Sequence, residues 1–212
     1  PLVSGGTYSF KIKWWYNINN HVTQGGRSGF EHFPIDGNNS YVIAQFFPRL
    51  CVYDNVDGWQ NMQFWGRSEF ALEFGNYEVN ITTPEDHILG ATGVLQNEKE
   101  VLTKTQQKRL AEATVTFDNP VIIVNQDEAI LAEKTNSKKT KTWKFIAKNV
   151  RDYAFATSRK FIWDAMAVDI NGKTVMAYSY YSKEANPLYG DHSTRAVAQT
   201  LITYSKHTID YP

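Results

Sequence analysis

Apolar and polar side chains alternate over residues 7–17, with Tyr8, Phe10, Ile12 and Trp14 on one side of a pleat and Ser9, Lys11 and Lys13 on the other. A period of two predicts a strand with one wet face. Residues 19–29 are rich in Gly, Asn, Ser and Thr and read as a loop. The turn signal Asp36-Gly37-Asn38-Asn39 precedes a strand over 41–47, which Pro48 ends or confines to an edge. Residues 54–58 form another turn. Segments 67–74 and 77–82 flank Gly75-Asn76 in the manner of a two-residue hairpin, and a short strand follows over 87–92. Further strands are expected at 114–117, 121–124, 143–148, 155–163 and 168–181, the last folded on the type I′ turn signal Asn171-Gly172.

Two segments change period. Residues 97–113 are charged and rich in helix formers, with a thin apolar stripe of Val101, Leu102 and Leu110 and a capping box from Thr103 to Gln106. They predict one or two short surface helices. Asn186-Pro187 is a stop, Asp191 or Ser193 can cap a helix, and 194–206 carry Val197, Leu201 and Tyr204 on one stripe, widened by Ala198 and Ile202. Such a helix lies back on a sheet or packs on a partner. The order gives a mainly β fold: a β-sandwich or large curved antiparallel sheet, with a small helical insertion and a C-terminal helix. Residues 1–185 are expected to form the β-domain, and 186–212 a linker and helix.

Aromatic residues make up 14% of the chain, which favours strands. The 22 basic and 22 acidic residues balance, so there is no electrostatic footprint for nucleic acid. No apolar run approaches the roughly 20 residues of a membrane span. Cys51 is the single cysteine, so no disulfide forms within the chain. This leaves the compartment open, the bacterial periplasm and exterior included. The opening Pro1-Leu2-Val3-Ser4 has neither Met nor an export signal, as expected if a leader was removed or the piece belongs to something longer.

Candidate chemistry is sparse. The five histidines, His21, His32, His87, His192 and His207, include no two at ligand spacing on one helix face. No phosphate loop, dinucleotide fingerprint or Gly-x-Ser-x-Gly occurs. Trp14, Trp15, Tyr16, Trp59, Trp65 and Trp143 form either a sugar-stacking platform or core and interdomain surface. Asp36-Gly37-Asn38 and Asp54-x-x-Asp57-Gly58 offer oxygens to calcium but fit ordinary turns. Asn38 and Asn80 begin glycosylation sequons, Glu69 and Glu73 sit along one strand, and residues 134–141 read as a solvated lysine-rich hairpin tip.

Three further stretches carry a resemblance. Residues 44–48, Ala-Gln-Phe-Phe-Pro, resemble the Thr-Gln-Phe-x-Pro strand end in the N-terminal β-domain of zinc aminopeptidases of the aminopeptidase N type. Residues 70–93 resemble the hairpin that follows in that family, and Trp143 to Ala156 resembles its Trp-x-Phe-x-Ala-x-Asn-Val-x-Asp-Phe-Ala-Phe-Ala stretch. Residues 196–212 resemble the helix entering the catalytic domain, down to the Tyr-Pro; several forms look closest to large bacterial members. The resemblance implies a non-catalytic β-domain that scaffolds the enzyme and walls its substrate cleft. Its implied partners are a peptide substrate and a catalytic domain in the same polypeptide, which holds zinc through His-Glu-x-x-His. Neither that motif nor the family's Gly-x-Met-Glu-Asn occurs here, so the chain itself is expected to lack catalytic residues, cofactor and metal.

The family's strand-end Gln contacts the substrate's first residue, and Gln45 matches it. On strand alternation Gln45 shares a face with Tyr41, Ile43 and Phe47, so it is either that contact or a core amide satisfied by loop backbone. The following Arg49-Leu50-Cys51-Val52-Tyr53-Asp54 departs from the family's Ala-Arg-x-x-Pro-Cys. An autonomous β-sandwich module for carbohydrate or protein is the alternative reading.

Overall fold

A computed structural model describes residues 3–63 and 71–212. The order is α1 (His21–Gln24), β1 (Gly29–Phe33), β2 (Asn38–Ala44), β3 (Tyr53–Asp54), β4 (Gly58–Trp59), β5 (Gly75–Pro84), β6 (Ile88–Ala91) and β7 (Val94–Leu95). Then come α2 (Glu98–Val101), α3 (Lys104–Ala113), β8 (Val121–Val124), α4 (Gln126–Thr135), β9 (Thr140–Val150), β10 (Ala154–Ser158), β11 (Ile162–Ile170) and β12 (Lys173–Tyr181). A 3-10 turn, Lys183–Ala185, leads to α5 (Leu188–His207). The strands form sheets ordered β1-β2-β10-β6, β5-β9-β7 and β12-β11-β8, with β3-β4 as a separate hairpin. All named pairings are antiparallel. The fold is mainly β, as the alternation predicts. No helix among the described residues is long and apolar enough to cross a membrane.

One core joins the three larger sheets. In β9 Trp143, Phe145 and Ala147 are buried while Lys144 and Lys148 face water, and opposite them Tyr77, Val79 and Ile81 of β5 turn inward. Ile88 and Leu89 of β6, Ile123 and Val124 of β8, and Trp163 and Ala165 of β11 close the same core, under Val101, Leu102, Leu110 and Ala113 of the two short helices. Gly90 of β6 lets the Tyr180 ring of β12 reach the backbone; a Cβ there would lie 2.5 Å from that ring. Side chains buried at this density make each such approach specific.

Strand β11 is covered on both faces. Trp163 and Ala165 face the main core, while Met166, Val168 and Ile170 pack with Ala177, Ala198 and Leu201 under α5. That explains its nearly unbroken apolar run. The Asn171-Gly172 turn into β12 has φ of 51° and 84°, as its type requires.

Several expectations need correction. Residues 7–19 have no regular secondary structure and belong to no sheet, and Tyr8, Phe10, Ile12 and Trp14 are all exposed. Alternation specifies a pleat, but it does not supply a neighbouring edge. Gly75 and Asn76 lie inside β5 rather than in a hairpin loop, and 67–70 fall outside the described residues. Residues 114–117 form a turn that touches β11 through one bond, Ala167 N to Thr116 O. The 155–163 strand is two strands, β10 and β11, broken at Arg159-Lys160. Helix α5 begins at Leu188, six residues before the expected start, because Pro187 takes the N-cap position. It lies on the sheet by Thr194, Ala198 and Leu201, leaving Val197, Ile202 and Tyr204 exposed.

Helix α4 has no counterpart in the sequence reading. Its apolar pattern is faint, and only Ala129 and Glu133 are buried. Its local signal is a capping box: Glu128 N donates to Asn125 Oδ1 and Asn125 N to Glu128 Oε2. Ala129 packs against Ile162 and Tyr181, and the helix's other anchor is ionic. Lys160, in the β10–β11 turn, is fully buried and donates to Asp36, to Glu133 at 2.8 Å and to Glu184 at 2.9 Å, with its ammonium 4.5 Å from the centre of the Phe33 ring. Lys183 also donates to Glu133 and approaches Asp36 at 3.5 Å. The cluster thereby ties the β1–β2 turn, α4, the β10–β11 turn and the 3-10 turn together.

Removing one partner from a buried charged cluster leaves the others uncompensated. Lys160→Met is expected to lower unfolding stability by about 3–5 kcal/mol, read as a lower urea midpoint. Adding Glu133→Gln to that variant should restore part of the loss.

Candidate functional site

Strand β2 pairs through Ala44 and then stops, and Gln45 has φ of 54°. A non-glycine residue in the left-handed region is held there at a cost of roughly 1 kcal/mol, and such residues cluster at functional sites. The turn breaks the alternation. Ile43 is buried in the core, whereas Gln45 is exposed rather than sharing the inward face of Ile43. The reading of Gln45 as a core amide is therefore corrected. No hydrogen bond joins its side chain to another described residue.

The backbone on either side is pinned. Ala44 N donates to Ser28 Oγ at 3.0 Å, and Trp14 Nε1 donates to Phe46 O at 2.9 Å. Phe46 and Phe47 meet edge to face at 5.1 Å, and each packs the same way on the core, against Phe155 at 5.3 Å and Tyr77 at 5.8 Å. Arg49 then anchors the chain, donating to Asp152 Oδ1 at 2.7 Å and to Arg151 O at 3.2 Å. Gln45 thus projects from a rigid strand end between two clefts. One, of about 260 Å³, runs past Tyr16, Ile18 and Gly29; the other, of about 250 Å³, runs past Leu50, Gln60 and Met62. Gly29 belongs to this arrangement, because a Cβ there would lie 2.4 Å from Asn19 O. The departure at 49–54 leads into the β3–β4 hairpin beside the second cleft.

The other constellations separate. Trp15 and Trp59 are 84% and 64% exposed, Trp143 is fully buried, and Trp65 lies outside the described residues, so the six aromatics do not make one platform. Asp54 serves its own turn, accepting from Val56 N at 2.9 Å and Asp57 N at 2.7 Å. Asn38 is buried and donates to Glu133 O at 3.2 Å, whereas Asn80 is exposed. Glu69 lies outside the described residues. Of the lysine run, Lys134, Lys138 and Lys139 are exposed, but Lys141 is packed over Trp143.

Asp36, Glu133 and Glu184 bring their oxygens within 4.8 Å of one another, a spacing that could hold a cation. The Lys160 ammonium already sits on all three. Burial alone would lower the Lys160 pKa, but bonds to Asp36, Glu133 and Glu184 outweigh it and hold the pKa above the ordinary lysine value. Burial likewise pushes Asp36 up, and its bonds to Lys160 and Asn38 bring it below the usual range. Asp164 behaves otherwise. Burial raises its pKa against hydrogen bonds from Thr194 and Tyr181, the latter at 2.7 Å, and it links β11, β12 and α5. Of these groups only Asp164 has a signal in the chain, a charge inside the apolar run Ile162-Trp163-Asp164-Ala165.

His87 is buried, with Nδ1 3.2 Å from Thr157 Oγ1. Burial, then the charges of Arg159 and Lys141, lower its pKa from 6.5 to about 4, against the pull of Asp86. Comparison with protein-family models, curated proteins and solved structures finds no match to this chain.

Two outcomes are expected. The unfolded chain takes up a proton on His87 near 6.5 and the folded one only near 4, so the stability His87 contributes is complete above 6.5 and lost as pH falls toward 4. The loss totals about 3 kcal/mol, and in His87→Gln the slope of urea midpoint against pH in that window should flatten. Gln45→Gly should leave stability unchanged or raise it by up to about 1 kcal/mol in the same assay, because glycine accepts this φ freely.

Proposed function

We propose that this chain is the N-terminal β-domain of a zinc aminopeptidase of the aminopeptidase N type. In that reading it is non-catalytic, and it scaffolds and walls the cleft where a peptide binds. The observation that carries the reading is Gln45: the one residue matched to a substrate contact stands exposed, in a left-handed conformation, on a strand end locked at both sides. A carboxamide oxygen there can accept hydrogen bonds from the ammonium of a peptide's first residue, which fixes the peptide's register. The outer face of α5, with Val197, Ile202 and Tyr204, and the aromatic row from Tyr8 to Trp14 are apolar surface that suits packing against a second domain.

Zinc, in this reading, lowers the pKa of its bound water and polarises the scissile carbonyl in the catalytic domain. The residues of this chain do not fit that metal. It has no His-Glu-x-x-His, and the Asp36, Glu133 and Glu184 group already serves a lysine. The purified chain is expected to release no arylamine from an aminoacyl-arylamide, with or without zinc; zinc-dependent turnover would overturn the proposal. In a protein carrying both domains, Gln45→Ala should raise KM roughly tenfold or more, the weight of a hydrogen bond to a charged group.

The exposure of Trp15 and Trp59 favours a second reading, an autonomous module for carbohydrate or protein. Glycan-array binding abolished by Trp15→Ala or Trp59→Ala would select it.

A further inference from the structure

Where β9 begins, α2, α3 and α4 stand off the sheets and leave a cavity of about 570 Å³. Its floor is apolar, from Ile88, Val101, Leu102, Val124 and Phe161. The charges around it bond to other side chains, save one, which meets only a backbone carbonyl and a ring. Arg159 pairs with Asp86 at 3.2 Å, and Asp86 also accepts from Thr135 and from Ser137 N. Glu128 accepts from Arg109 and from Asn125 N, Glu85 from Ser137, and Glu100 from Asn97 and Lys144. Lys141 is the exception. Its Nζ has the Val101 carbonyl at 3.2 Å and the Trp143 ring centre at 4.6 Å, and no salt bridge to a described carboxylate.

We infer that Lys141 is a modification site whose amine, reached through this cavity, condenses reversibly with a small apolar aldehyde. The amine lone pair attacks the carbonyl carbon, an N–H proton passes to the carbonyl oxygen, and loss of water leaves an imine; no electron donor or acceptor is consumed. The hydrocarbon tail lies on the apolar floor. A neutral carbonyl suits the site better than an anion does, because four carboxylates, Glu85, Asp86, Glu100 and Glu128, line the cavity beside Lys141 and Arg159. A lysine desolvated in an apolar pocket is the usual route to a nucleophilic amine at neutral pH. Here burial brings its pKa down to about 8 against the opposing pull of Asp86 and Glu85. Arg159 of the β10–β11 turn, Glu100 of α2 and Glu128 of α4 line the same cavity, and His87 of the β5–β6 turn feels the charge of Lys141.

The test incubates the whole chain with hexanal and cyanoborohydride at about pH 7.5 and follows each lysine by peptide mass mapping, and Lys141 should react roughly tenfold faster than exposed Lys138 and Lys139. Ala132→Phe, which fills the cavity, should erase that lead. Glyoxylate in place of hexanal should erase it too, in the unaltered protein. Reaction of Lys141 no faster than Lys138 and Lys139 with hexanal, or an equal lead with glyoxylate, would overturn the assignment.

Discussion

A single buried ammonium organises much of this molecule. Lys160 sits at the corner where β10 becomes β11, and the three carboxylates it satisfies come from a turn near residue 36, a helix near 133 and a turn near 184. Apolar packing between these segments is slight: Ala129 of α4 and Ala185 of the 3-10 turn share a small cluster with Ile162 and Tyr181, and α4 has little more apolar face to offer. The geometry has to be complete: a buried charge is tolerated only when every partner is present. The cost of desolvating Lys160 therefore becomes a condition on where four distant segments lie. Arg159, one residue earlier, extends the condition by holding Asp86 and Asn38.

Around that corner the sheets divide the work. Strand β11 is buried on both faces, by the main core and by α5, and polar links cross the second face from Asp164 to Thr194 and Tyr181 and from Ser179 to Ser193. The β2 end is held differently. Phe46 and Phe47 are partly buried against the main core, and the left-handed turn at Gln45 just before them points its side chain away from it. The carboxamide is thereby presented to solvent between two clefts.

Charged residues in this chain do not sort into buried and solvated by their local composition. Residues 134–141 look uniformly solvated, since a lysine-rich run normally is. Three of those lysines are exposed, but Lys141 is drawn under α2 by the Val101 carbonyl and the Trp143 face. Glu133 and Lys160 likewise look like surface charges until the fold brings each within reach of the other. Pairing between residues 27 positions apart leaves no local signature.

What the sequence determined by itself was the local geometry. The two-residue period of β5 and β9, the capping box at Thr103, the Asn171-Gly172 hairpin and the mainly β class all follow from short-range sterics and hydrogen bonding, which a window of a few residues contains. Tertiary structure alone decided partners and exposure. It left residues 7–19 without a sheet despite the alternation from Tyr8 to Trp14, turned Gln45 outward through one backbone angle, and docked α4 largely on a buried charge. Each of these depends on which distant segment arrives alongside, and a pleat, an amide or a carboxylate carries no record of its neighbour.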